Sequence, residues 1–152
     1  MRKLNAIWLS LTLLTGCRPA QQTPNWEPQL RTANEELLTQ GNLARVSEFF
    51  AETYVLHATD GDVRGRDAIN AFVTALRAAF PDLRVEIQVL ATEGNRVAWL
   101  RTHRGTHQGD FMGVPASGRS ITWQDLVVTE YDAGMIAEEW GVSELPARIR
   151  AP

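Results

Sequence analysis

The sequence predicts an α+β domain in which helices come first and a curved antiparallel sheet packs against them. Two observations carry this. Between Gln29 and Phe80 apolar residues recur at helical spacing, and from Leu83 onward they alternate with polar ones. Pro81 stands at the change of period, where a residue lacking an N–H ends a helix. Three N-terminal helices on one side of a curved sheet make a cone with a cavity inside.

The chain opens with Arg2 and Lys3, then a short apolar run from Ile7 to Leu14, then Leu14-Thr15-Gly16-Cys17. A basic start, an apolar stretch and small residues before a cleavage point read as a secretory leader over 1–16. The run is too short to cross the roughly 30 Å hydrocarbon core as a helix. Leu14 to Cys17 resembles the lipobox of bacterial lipoproteins, which makes Cys17 the expected lipid attachment point. That implies an envelope location, membrane-anchored and facing the periplasm. Residues 17–28 read as a tether, with Pro19, Pro24 and Pro28 among Gln, Thr and Asn.

The domain is expected over 29–149. Gln29 to Gln40 reads as a helix with Leu30, Ala33, Leu37 and Leu38 near one side, ended by Gly41. A second helix is expected from Asn42 to about Ala51, burying Leu43, Val46, Phe49 and Phe50. Tyr54 to His57 is a short extended segment, and Thr59 to Arg64 a polar turn. Asp67 to Phe80 carries the clearest helical stripe: Ile69, Phe72, Val73, Leu76 and Phe80. Leu83, Val85, Ile87 and Val89 then alternate with Arg84, Glu86 and Gln88, Gly94-Asn95 turns the chain, and Arg96 to Gly105 returns. A glycine-rich loop from Gln108 to Gly118 leads into a long strand, Ile121 to Tyr131. Asp132-Ala133-Gly134 turns into a last one, Met135 to Val142.

Composition removes several function classes. The chain has 15 basic and 18 acidic residues, and loss of Arg2 and Lys3 with the leader leaves it more acidic. Nucleic acid, which calls for a basic stripe, is disfavoured as a partner. Lys3 is the only lysine, so the mature domain has no Schiff-base lysine. With Cys17 the only cysteine, no intrachain disulfide or cysteine-held metal site is available. No HExxH, GxGxxG, phosphate loop or GxSxG is present, so neither a metal nor a nucleotide cofactor is expected.

The candidate chemistry centres on Asp125. Along Ile121 to Tyr131 one face holds Ile121, Trp123, Asp125, Val127, Thr129 and Tyr131. A carboxylate between Trp123 and Val127 is costly unless paired. It suits a general base in a cavity, or a structural ion pair with Arg101 or Arg104 across the sheet. His103 shares a face with Val97, Trp99 and Arg101, and His107 lies where the loop opens. Either could assist a carboxylate, or be a structural histidine. His57 has the same two readings. Ile136, Glu138, Trp140 and Val142 are expected on one face, which makes Glu138 a second carboxylate on an apolar surface. Trp99, Trp123 and Trp140 are expected in the core, where with Phe111 they could also line a site for a small hydrophobic ligand.

Several segments then fall in a familiar order: Gly65-Arg66-Asp67-Ala68-Ile69, Phe80-Pro81-Asp82-Leu83, Gly105-Thr106-His107-Gln108-Gly109-Asp110-Phe111-Met112-Gly113-Val114-Pro115, Gly118-Arg119 and Ile136-Ala137-Glu138-Glu139-Trp140. The chain resembles the SnoaL-like polyketide cyclases, many of them called ester cyclases, within the NTF2-like superfamily. The resemblance covers Gln29 to Ile149. It implies the NTF2-like cone, a cofactor-free intramolecular aldol cyclisation or isomerisation with an aspartate as acid/base, and a binding cavity. On that basis Asp125 and His107 are the expected catalytic pair. His57, Trp99, Phe111, Trp123, Glu138 and Trp140 are the expected substrate contacts. The outer sheet face is a candidate surface for a homodimer. A ligand-binding lipoprotein without catalysis is the alternative. The chain departs from the family pattern at Glu139, where many relatives carry histidine. It departs also at Glu144, where many carry aspartate, and in Pro115-Ala116-Ser117-Gly118.

Overall fold

A computed structural model describes residues 24–151. The leader, Cys17 and most of the tether lie outside the described residues. The order is α1 (Glu27–Asn34), a π-helical turn (Glu35–Thr39), a 3-10 turn (Leu43–Arg45), α2 (Val46–Phe49), β1 (Phe50–Ala58), β2 (Gly61–Arg64), α3 (Asp67–Ala79), β3 (Arg84–Glu93), β4 (Arg96–Thr106), β5 (Ser120–Asp132), β6 (Met135–Ser143) and α4 (Leu145–Arg150). This is the expected α+β order. Six strands form one sheet in the order β2-β1-β6-β5-β4-β3. All neighbours are antiparallel except β1 and β6, which run parallel. No helix among the described residues is long and apolar enough to cross a membrane.

α1 begins with Pro28 in its first turn, where the missing N–H costs nothing. It buries Leu30, Ala33 and Asn34, and the π turn continues the same wall with Leu37 and Leu38. The second helix is shorter than expected. At Phe50 the backbone turns extended (φ −110°, ψ 135°), because Phe50 pairs with Ile136 of β6. The polar turn before α3 is a hairpin, with Ala58 opposite Gly61 and Val55 opposite Arg64. α4 was not expected from the sequence. Its Leu145 and Ile149 close one end of the core.

α3 buries Val73, Leu76 and Ala79, but Phe72 is 48% exposed. The stripe facing the sheet is narrower than five apolar positions suggested. Phe72 lies at its edge and leans on Phe111 at 6.3 Å between ring centroids. Leu76→Ala should therefore cost roughly 2–5 kcal/mol in urea melts. Phe72→Ala should cost about 1 kcal/mol or less, since little area leaves water. Equal losses would return Phe72 to the core.

The core has two lobes. One gathers Leu30, Val46, Phe49, Tyr54, Trp99 and Val127. The other gathers Leu76, Phe80, Leu83, Phe111, Trp123 and Ile149. β5 spans both, and its burial alternates without a break from Ile121 to Tyr131. β6 does not behave so simply. Glu130 pairs with Glu138, yet Tyr131 pairs with Ile136. Ala137 is an extra residue, a β-bulge that shifts the following side chains to opposite faces. Ile136 and Glu139 therefore point inward, and Glu138 and Trp140 outward. The expected shared face of Ile136 and Glu138 is overturned, as is the core position of Trp140, which is 37% exposed.

Candidate active site

Asp125 lies on the inner face of β5 and is buried. Its direct cross-strand neighbour on β4 is Arg101. Arg101 donates from Nε (3.2 Å) and Nη2 (3.0 Å) to one oxygen of Asp125, Oδ2. The guanidinium also lies over the Trp99 ring, 5.3 Å from its centroid. Of the two arginines considered for the pair, the register selects Arg101. The other carboxylate oxygen, Oδ1, is buried without a partner among the described residues.

His103, not His107, is the histidine that reaches this carboxylate. Its Nε2 is 3.8 Å from Asp125 Oδ2, too long for a hydrogen bond. The ring stacks on Trp123, its cross-strand neighbour, at 4.5 Å and 7°. Burial, and then the Arg101 charge, push the imidazole down to about 2 from 6.5. Despite its closeness to Asp125 the pair is therefore not an ion pair: Arg101 already faces the carboxylate, and His103 is neutral. His103 Nδ1 is also buried without a partner among the described residues.

This has a consequence for stability. Between pH 6.5 and about 2 the unfolded chain protonates His103 and the folded chain does not. Stability rises with pH where the unfolded state binds more protons, so this group removes stability as pH falls through that window. His103→Gln should flatten the pH dependence of urea midpoints between pH 6.5 and 4, relative to the parent. An unchanged slope would place the proton on His103 in the folded state.

A second polar network lies further along the same inner face. Glu139 takes a hydrogen bond from Thr129 Oγ1 at 2.7 Å and one from the Tyr54 hydroxyl at 2.8 Å. Trp99 Nε1 donates to Thr129 Oγ1 at 2.9 Å. Burial, and then Glu139, hold the Tyr54 and Tyr131 hydroxyls well above the usual phenol range. The sequence does not mark Glu139 as an inward residue, because its direction depends on the bulge. Its buried partner Thr129 was visible on the inner face of β5.

The remaining expected contacts separate. His107 is fully buried, stacks on Phe80 at 5.3 Å and places Nδ1 3.2 Å from Ser117 Oγ. It props the loop rather than standing at a mouth. Phe111 packs between Phe72 and Phe80. Trp99 and Trp123 are buried in the core, Trp123 next to Asp125 on the inner face of β5 and Trp99 beneath the Arg101 guanidinium. His57, Glu138 and Trp140 do not join them. His57 stacks on Trp140 at 5.0 Å and bridges Asp62 (2.9 Å) and Glu138 (3.1 Å) on the outer face. The Glu138 bond, then Asp62, holds the imidazole above its usual range. Among the described residues no group of three His, Cys, Asp or Glu is arranged to hold a metal ion.

Comparison with known proteins agrees with this architecture. A candidate SnoaL-like polyketide cyclase from Jannaschia superposes with a TM-score of 0.72 at 26% identity, over 83% of this chain and 91% of that one. IdmH, a candidate polyketide cyclase from Streptomyces antibioticus, gives 0.68 at 28%, over 82% and 96%. AclR, a candidate hydroxylase from Streptomyces galilaeus, gives 0.66 at 27%, over 78% and 88%. No curated protein matches significantly. The sheet order and helices of the cone, with residues 28–150 matching the family model, establish that this chain belongs to the SnoaL-like polyketide cyclase family.

Proposed function

We propose that this chain is a cofactor-independent acid–base catalyst of cyclase or isomerase type, acting on a small hydrophobic carbonyl compound and held at the bacterial envelope by a lipid on Cys17. The observation that carries the catalytic reading is Asp125: buried, with Oδ2 held by Arg101 and 3.8 Å from a neutral imidazole, and Oδ1 without a partner among the described residues. Asp125 Oδ1 removes a proton from the carbon next to a carbonyl, and the electron pair moves onto the carbonyl oxygen. A neutral His103 can donate its N–H to that oxygen, as an uncharged imidazole does in other enolising sites. The carbanion carbon then attacks a second carbonyl of the same molecule, and the proton held by Asp125 returns to the new alkoxide. In an isomerisation the proton returns instead to another carbon. His107 is assigned a positioning role through Phe80, which packs on Trp123 at 5.0 Å.

The direct test is exchange of solvent deuterium into an aromatic β-keto ester at its acidic carbon. The full domain should raise the rate above the buffer rate in proportion to its concentration. No acceleration would leave the second reading, a ligand-binding lipoprotein without turnover. That reading is favoured by the ion pair, since both Asp125 contacts at Oδ2 come from Arg101.

The anchoring reading rests on the lipobox alone. Cys17→Ala should abolish partitioning into detergent, and normal partitioning would remove it. The outer sheet face is assigned to a second copy of the chain. Leu126, Val128, Trp140 and Val142 are adjacent cross-strand pairs and border a shallow groove of about 430 Å³. Val142→Arg should shift the mass found by sedimentation to that of a monomer.

A further inference from the structure

Asp125 meets its arginine from one side only. A guanidinium presents a planar fork that matches the two oxygens of a carboxylate. Arg101 instead brings Nε (3.2 Å) and Nη2 (3.0 Å) to the same oxygen, Oδ2. Oδ1 stays buried and unpartnered among the described residues. The carboxylate alone does not select this arrangement, because a fork that spans both oxygens is the stronger contact.

The guanidinium is held from its other side by Trp99. Trp99 stands two residues before Arg101, on the inner face of β4. The guanidinium carbon lies 5.3 Å from its ring centroid. A cation over the face of an indole is attracted by the ring quadrupole, most strongly where water is scarce. The Arg101 side chain is only 20% exposed.

The indole is itself tied down. It is fully buried, so substrate does not touch it. Its Nε1 can only donate, and it donates to Thr129 Oγ1 at 2.9 Å. The Thr129 hydroxyl keeps its own proton to give, and it goes to Glu139 Oε1 at 2.7 Å. Glu139 Oε2 takes the Tyr54 hydroxyl at 2.8 Å. Every direction in this chain follows from the donor that begins it. The ring cannot turn without breaking a buried hydrogen bond.

We propose that Trp99 is a positioning residue for the reaction: its ring, tied to Glu139 through Thr129, holds Arg101 on one oxygen of Asp125 and keeps the other oxygen open to substrate. The inference rests on the reading of Asp125 given above. Without the ring face, the guanidinium is free to span both oxygens and cover Oδ1.

Two substitutions test this in the deuterium-exchange assay. Trp99→Leu removes the ring face, and Trp99→Phe keeps one. The leucine variant should lose about 10²-fold in kcat, the cost of a small misplacement beside a reacting group. Its KM should hardly move, since a buried ring makes no contact with substrate. The phenylalanine variant should recover all but a few-fold of the loss. A purely structural role would lower the urea midpoints of both variants and leave kcat per folded molecule where it was. A second measurement needs no turnover and no foldable leucine variant. The guanidinium protons of Arg101 in the unaltered domain should resonate upfield of their ordinary position, displaced by the ring beneath them. Trp99→Leu, where it folds, should remove that displacement. A leucine variant with the parent kcat, a phenylalanine variant as slow as the leucine one, or undisplaced Arg101 protons in the parent would each overturn the inference. Displaced protons in a domain that exchanges no deuterium would sink the catalytic reading and keep the platform. Exchange that ignores Trp99 would sink only the platform.

Discussion

Asp125→Asn should lower the rate of deuterium exchange into the β-keto ester by about 10²–10⁴-fold, the usual worth of a positioned base. The amide keeps the shape and removes the proton acceptor. It also leaves Arg101 without its counter-charge. The Arg101 side chain retains 20% exposure, so water compensates part of that loss. Even so, breaking such a pair from one side is destabilising. A double variant separates the two effects. Arg101→Gln with Asp125→Asn should recover most of the lost stability and none of the lost exchange. A single variant that exchanges at the parent rate would move the chemistry away from Asp125, and Glu139 would become the carboxylate to test.

Thr129→Val should be the most destabilising conservative change in the domain, at about 3–5 kcal/mol. The two side chains have nearly the same shape, so little of this is packing. The hydroxyl accepts from Trp99 Nε1 and donates to Glu139 Oε1. Removing it orphans a buried donor and a buried carboxylate oxygen together, each costing about 1–3 kcal/mol and more where a charge is involved. Thr129→Ser retains the hydroxyl and should stay within about 1 kcal/mol of the parent. Urea melts of the two variants decide the matter. A valine variant as stable as the serine one would mean that the network contributes nothing to the fold.

The inner face of β5 was legible in the sequence. Ile121, Trp123, Asp125, Val127, Thr129 and Tyr131 are all buried, and every residue between them is less so. Period-two alternation is a property of one strand and needs no partner to define it. The helix-to-strand switch at Pro81 is equally local: α3 ends at Ala79 and β3 begins at Arg84. The face of β6 was not legible, because it depends on the bulge at Ala137. A bulge is a slip between two strands, and no residue in Ile136-Ala137-Glu138-Glu139 announces it. That one slip exchanges Glu139 for Glu138 inside the cone and carries Trp140 out of the core.

The choice among histidines has the same origin. His103 and His107 both sit on or just past β4, and each could be paired with a carboxylate on paper. Only the antiparallel register sets Arg101 opposite Asp125 and His103 opposite Trp123, while β4 ends before His107.

By itself the sequence determined the order of helices and strands, the inward direction of Asp125, and the lack of any lysine or paired thiol in the domain. The tertiary structure decided which arginine faces that carboxylate and which glutamate points to the same inner face. Side-chain parity within one helix or strand follows from covalent geometry and the backbone period. Strand order, register and bulges follow from pairings between distant segments, and those are selected by the packing of the whole core.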